Sequence, residues 1–112
     1  MEYKNIEPID KQTAEDAFES QKTEAICYAL VAVAFYEQDW KWVQDKCLYF
    51  LQSNNPTVSG LAATCLGHVA RIHRQLERRK VIDALRSLPE DSQIAGRVED
   101  ALDDIKMWVM PS

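Results

Sequence analysis

The stretch Asn55-Pro56-Thr57-Val58-Ser59-Gly60-Leu61-Ala62-Ala63-Thr64-Cys65-Leu66-Gly67-His68-Val69 decides the fold. Asn55 offers a side-chain oxygen to the free amides of a helix start, and Pro56 suits the first helical position, where no N–H is needed. From Val58 onward the apolar residues recur at helical spacing, without the alternation of a strand. Ala62, Ala63 and Gly67 are small, so a second helix can approach closely. The helix is expected to run to about Arg74.

The same reading extends in both directions. Upstream, Asp39 caps a helix reaching about Ser53, in which Val43, Cys47, Phe50 and Leu51 form one core-facing stripe. Before it, a helix over about 23–37 carries the apolar run Ala25 to Tyr36 and, being apolar all round, is expected to be buried between neighbours. Thr13, with Asp16 three residues on, is the expected cap of a short helix near 14–21, and polar residues 1–12, with Pro8, form a loosely ordered lead-in. Downstream, helices are expected over about Glu77 to Leu88 and from near Ser92 to the C-terminus. Six helices, three glycines, four prolines and no strand pattern make the 112-residue chain an all-α single domain.

The helices repeat. At an offset of 36 residues Val58-Ser59-Gly60 lies over Ile94-Ala95-Gly96, Cys65-Leu66 over Ala101-Leu102, and Val69 over Ile105. Ala29-Leu30 and Val33 fall in the same register, and Cys47-Leu48 aligns with Ala84-Leu85 at 37. A helix pair of this length cannot bury its apolar faces alone, so three pairs, 13–37, 39–74 and 77–110, are expected to stack. With its turn proline, Val58, paired alanines and Leu66-Gly67, the segment 55–69 resembles the second helix of a HEAT repeat, departing at Ser59, where a basic residue is usual. The resemblance is good in the middle pair, partial in the last and poor in the first. It implies a short right-handed α-solenoid, and by itself says nothing about chemistry.

Composition narrows the function. A chain 46% hydrophobic and 28% charged is globular, and its net charge of −5 disfavours general binding to nucleic acid or anionic membranes. The twelve-residue apolar run is short of the roughly twenty a membrane span needs. Nor does the N-terminus show a basic start and apolar stretch, so cytoplasm is the expected address. Cys27, Cys47 and Cys65 are odd in number and set in apolar sequence, which reads as buried thiols in a reducing compartment.

No catalytic or metal site emerges. Cys65, His68 and His73 are zinc-type ligands, but at helical pitch His73 lies about 140° round from His68, so one helix cannot converge all three. Cys65 and His68 share a face without an orienting group or oxyanion site. The glycines form no phosphate loop. Neither an enzyme nor a cofactor is expected.

Charge and aromatics point to binding. Residues 1–45 carry a net −6, 46–89 a net +5 and 90–112 a net −4. Asp100, Asp103 and Asp104 share a face and repel one another, which a basic partner would relieve. Glu15, Asp16 and Glu19 are further candidates. Trp42, Asp45 and Tyr49 form a stripe on another side of the helix from the core stripe; an outward aromatic pair beside a carboxylate suits an interface, while packing against the neighbouring repeat is the competing reading. Arg71, Arg74, Arg78, Arg79 and Lys80 make a basic centre, with Arg71, Arg74 and Arg78 in line as a conceivable phosphate track or as internal partners of the acidic segments.

A short, acidic, HEAT-like chain looks like the immunity proteins of contact-dependent growth inhibition systems. That resemblance implies a non-enzymatic module occluding the active site of a cognate toxin, a nuclease with a basic cleft, through Trp42, Asp45, Tyr49, Asp100, Asp103, Asp104, Glu15, Asp16 and Glu19. The alternatives are an adaptor subunit or a nucleic-acid binder using the arginine cluster.

Overall fold

The segment that opens at Asn55 forms the longest helix and the hub of the molecule. The computed structural model describes residues 5–90 and 92–111, and among these there are six helices and no strand. In chain order they are α1 (Lys11–Glu19), α2 (Thr23–Tyr36), α3 (Trp40–Leu51), α4 (Pro56–His73), α5 (Arg78–Arg86) and α6 (Ala95–Trp108). The fold is all-α.

Short polar side chains set the helix starts. Asn55 accepts the Thr57 amide at 2.9 Å and Asp39 accepts the Trp42 amide at 3.2 Å, as their positions before the helices require. The first helix starts earlier than expected: Asp10, not Thr13, is the cap and accepts the Thr13 amide at 2.7 Å. Either residue satisfies the local pattern, and the carboxylate three residues upstream wins. The last helix starts later, at Ala95, because residues 92–94 form a turn.

α4 packs against α2, α3 and α6. Asn55 donates from Nδ2 to Thr23 Oγ1 at 3.1 Å, which sets the starts of α2 and α4 side by side. Along the other seam a Cβ at Gly60 would meet Arg97 and Ile94, and one at Gly67 would meet Asp104 and Ala101. Contacts that advance together along both helices mean that α4 and α6 run parallel. Each glycine meets residues 34 and 37 positions on, which bracket the 36-residue offset that aligns these helices. Leu30, Cys47, Leu51, Leu66, Val69, Leu85 and Ile105 are fully or almost fully buried between the helices, each such aliphatic side chain contributing about 1.5–3 kcal/mol.

α2 is not enclosed on every side. Tyr28, Phe35 and Tyr36 remain exposed, and the two tyrosines meet the residues ahead of α1. Tyr28 Oη accepts the Glu7 amide at 3.1 Å, and the Tyr36 hydroxyl donates to the Ile6 carbonyl at 3.3 Å. Ile6 and Ile9 pack half-buried against the core beside these bonds. No helix is long and apolar enough to cross a membrane among the described residues.

Candidate protein-binding surface

α1 and α3 run in the same direction and interlock turn by turn. At the first turn Lys11 Nζ lies 2.6 Å from Asp39 Oδ2 and 5.4 Å from the centre of the Trp42 ring. At the second, Lys46 Nζ is 2.5 Å from Glu15 Oε1 and lies over the rings of Phe18 and Trp42, at 5.9 and 5.7 Å. Further on, Phe18 tilts against Phe50 at 5.1 Å and Tyr49 stands edge-on to Phe50 at 5.0 Å. These rings and the Glu15–Lys46 pair border an open groove of about 610 Å³ between α1 and α3, lined by Glu15, Phe18, Glu19, Gln21, Asp45, Lys46, Tyr49 and Phe50.

Two of the patches singled out in the sequence therefore converge. Glu15 and Glu19 from α1 face Asp45 and Tyr49 from α3 across one groove. Asp16 lies outside its lining and accepts a bond from Gln12 at 3.0 Å. Trp42 is not the outward half of an aromatic pair: it is half-buried against the core, with α1 laid over it. Tyr49 alone stands out, 72% exposed. A helical wheel gives the angle between stripes but not which neighbour covers one, so packing of α1 on this side was not legible.

Asp45 is held rather than free. Its Oδ2 lies 3.3 Å from Lys41, and its Oδ1 accepts from Gln44 at 3.2 Å and lies 3.8 Å from Lys80. Lys41 and Lys80 also reach Glu77, at 3.1 and 3.8 Å, so one charge network joins α3 to the start of α5. Sequence reasoning missed Gln44 at its centre. On the wheel Gln44 lies only about 20° from Leu51, a signal that this amide is buried.

The third patch is elsewhere. α6 packs on α4 and α5, whereas α1 packs on α2. Asp104 turns into the α4–α6 seam, half-buried and 3.8 Å from Arg71, while Asp100 and Asp103 stay exposed. The carboxylate triad thus divides between a helix joint and the solvent.

Nor do the basic residues form one track. α4 ends at His73, Arg74 adopts a left-handed backbone (φ 55°), and residues 75–77 are not helical, which breaks the line Arg71–Arg74–Arg78. Arg71 contacts His68 Nδ1 at 2.6 Å, Arg74 covers the Trp108 ring at 5.0 Å, and Lys80 joins the α3–α5 network. His68 stacks on Phe35 with ring centres 4.8 Å apart, and burial, then the Arg71 charge, push its pKa down to about 4. Cys65 is fully buried; its contact with Cys47 and its burial raise the thiol well above its ordinary value, the opposite of an activated nucleophile. Among the described residues no His, Cys, Asp and Glu side chains group as a metal site.

No family model matches this chain, and no curated protein matches it. Among solved structures it is similar to one chain of a CDI complex from Cupriavidus taiwanensis LMG 19424. That chain is 32% identical with a TM-score of 0.87, the match covering 98% of this chain and 99% of the other.

Proposed function

Because this chain belongs to the family of that Cupriavidus CDI-complex chain, we propose that it is an immunity protein that binds the toxin of a contact-dependent growth inhibition pair. The observation that carries this reading is the likeness itself, which spans essentially the whole of both chains at 32% identity. The toxin is a nuclease, and the immunity protein acts without catalysis by covering its active site. Acidic residues on a chain of net charge −5 steer a basic cleft and then replace its polyanionic substrate. Cytoplasm, where such a toxin would act, is its place of work. The helix pairs are read as HEAT-like repeats, a reading supported by the parallel, evenly stepped contacts of α4 with α6.

The test is direct. A toxin domain encoded beside the gene is mixed with the full chain and followed by calorimetry and by cleavage of labelled RNA and DNA. Stoichiometric, salt-weakened binding that stops cleavage is expected. Binding without inhibition would remove occlusion, and absence of binding would remove the immunity reading.

A further inference from the structure

We propose that the groove between α1 and α3 anchors this interface, and that its occupant is an arginine or lysine side chain on a short segment of the protein partner. The inference rests on the toxin-binding reading and specifies its chemistry.

The argument comes from the periodicity of the α1–α3 seam. Each of its first two turns contains a carboxylate, an aromatic ring and a cation: Asp39, Trp42 and Lys11, then Glu15, Phe18 and Lys46. One turn further on, Glu19 follows Glu15 by four residues, and Tyr49 and Phe50 follow Lys46 by three and four. The carboxylate and the rings are repeated there; the cation is not. Position i+4 from Lys46 is Phe50, and no described residue forms an ion pair with Glu19. The groove extends from the Glu15–Lys46 pair to this turn, where Tyr49 is 72% exposed.

Charge and shape select the occupant. Lys46 is engaged by Glu15, and Asp45 by Lys41 and Lys80, so Glu19 is the carboxylate of the groove left to meet a cation from outside. An apolar stem ending in a positive charge fits aromatic walls beside a carboxylate, as the chain's own Lys46 demonstrates one turn earlier. The groove is larger than one side chain, so the residue arrives on a segment of chain and not as a free ion.

The experiment titrates ¹⁵N-labelled full chain with acetyl-Gly-Arg-Gly-amide and, separately, with its norleucine counterpart. The arginine peptide is expected to give saturable shifts at Glu19, Gln21, Tyr49 and Phe50 with a millimolar dissociation constant. Binding should weaken about threefold in Glu19→Gln and in Tyr49→Ala. Both positions are exposed, so the remaining spectrum should stay unchanged. Equal shifts from the norleucine peptide, or no saturable shift in the groove, would overturn the proposal. The toxin domain separates the two readings. Equal affinity for wild type and the Glu19→Gln/Tyr49→Ala double variant would remove the groove and leave immunity standing. Arginine binding in the groove without toxin binding would do the reverse.

Discussion

Gln44 and Glu77, 33 residues apart, bind each other twice. The Glu77 amide donates to Gln44 Oε1 at 2.7 Å, and Gln44 Nε2 donates to Glu77 Oε1 at 2.8 Å. This bracket fastens the start of α5, which has no side-chain cap of its own, to the middle of α3. Gln44 is fully buried, whereas the Glu77 carboxylate is open to water and shared with Lys41, so replacing Gln44 removes its bonds without burying an unpaired charge. Gln44→Leu keeps the volume but loses both bonds to Glu77 and the one to Asp45, and should cost about 1 kcal/mol in urea unfolding. An unchanged midpoint would show that the bracket contributes nothing.

Acid should loosen the same joints. Glu77 sits below its ordinary 4.5 because Gln44, then Lys41, bond its carboxylate; Asp39 sits below 3.8 because of Lys11, then the Trp42 amide. Asp10 is lowered by the amide and the hydroxyl of Thr13. A carboxyl whose folded pKa is depressed contributes stability that is complete above its unfolded value and is lost as pH falls through the folded one. Stability should therefore drop below about pH 4.5, starting with Glu77. Glu77→Gln should flatten the first part of that curve, measured by urea midpoints from pH 7 to 3.

These joints also mark what the sequence made legible. Helix number, the Asp39 and Asn55 caps and the core stripe of α3 follow from local chemistry: a cap needs an oxygen beside free amides, and a core stripe needs a period. The Gln44–Glu77 bracket and the covering of Trp42 by α1 depend on how separate helices meet. Glu15, Glu19, Asp45 and Tyr49 were each visible as surface residues, but their shared groove arises only when α1 lies parallel to α3.

His68 should titrate near pH 4, well below an ordinary histidine. Burial disfavours its charged form, and Arg71 beside Nδ1 adds repulsion; the neutral ring accepts from Arg71 and carries its proton on Nε2. The unfolded chain binds this proton near pH 6.5 and the folded chain only near 4, so the His68 contribution to stability rises with pH across that window. Ring-proton NMR should place the midpoint near 4. Arg71→Gln should raise it, and Phe35→Ala, which lets water reach the ring, should raise it too. A wild-type midpoint near 6.5 would contradict the packing of His68 between Phe35 and Arg71.

Gly67 is held to a glycine by one carboxylate. A Cβ there would lie 2.7 Å from Asp104 Oδ2, but 3.5 Å from the Ala101 Cα and 3.6 Å from the Asp104 Cβ, which are ordinary contacts. In the wild-type background Gly67→Ala must push the Asp104 carboxylate away from Arg71, offsetting the helix preference for alanine. With Asp104→Ala the obstructing oxygen is gone, and the same change should stabilise by about 1 kcal/mol, the ordinary advantage of alanine over glycine inside a helix. The double-mutant cycle should then show a coupling of about 1 kcal/mol between the two positions. If Gly67→Ala has the same effect in both backgrounds, it is the closeness of the α4 and α6 backbones, not Asp104, that demands the glycine.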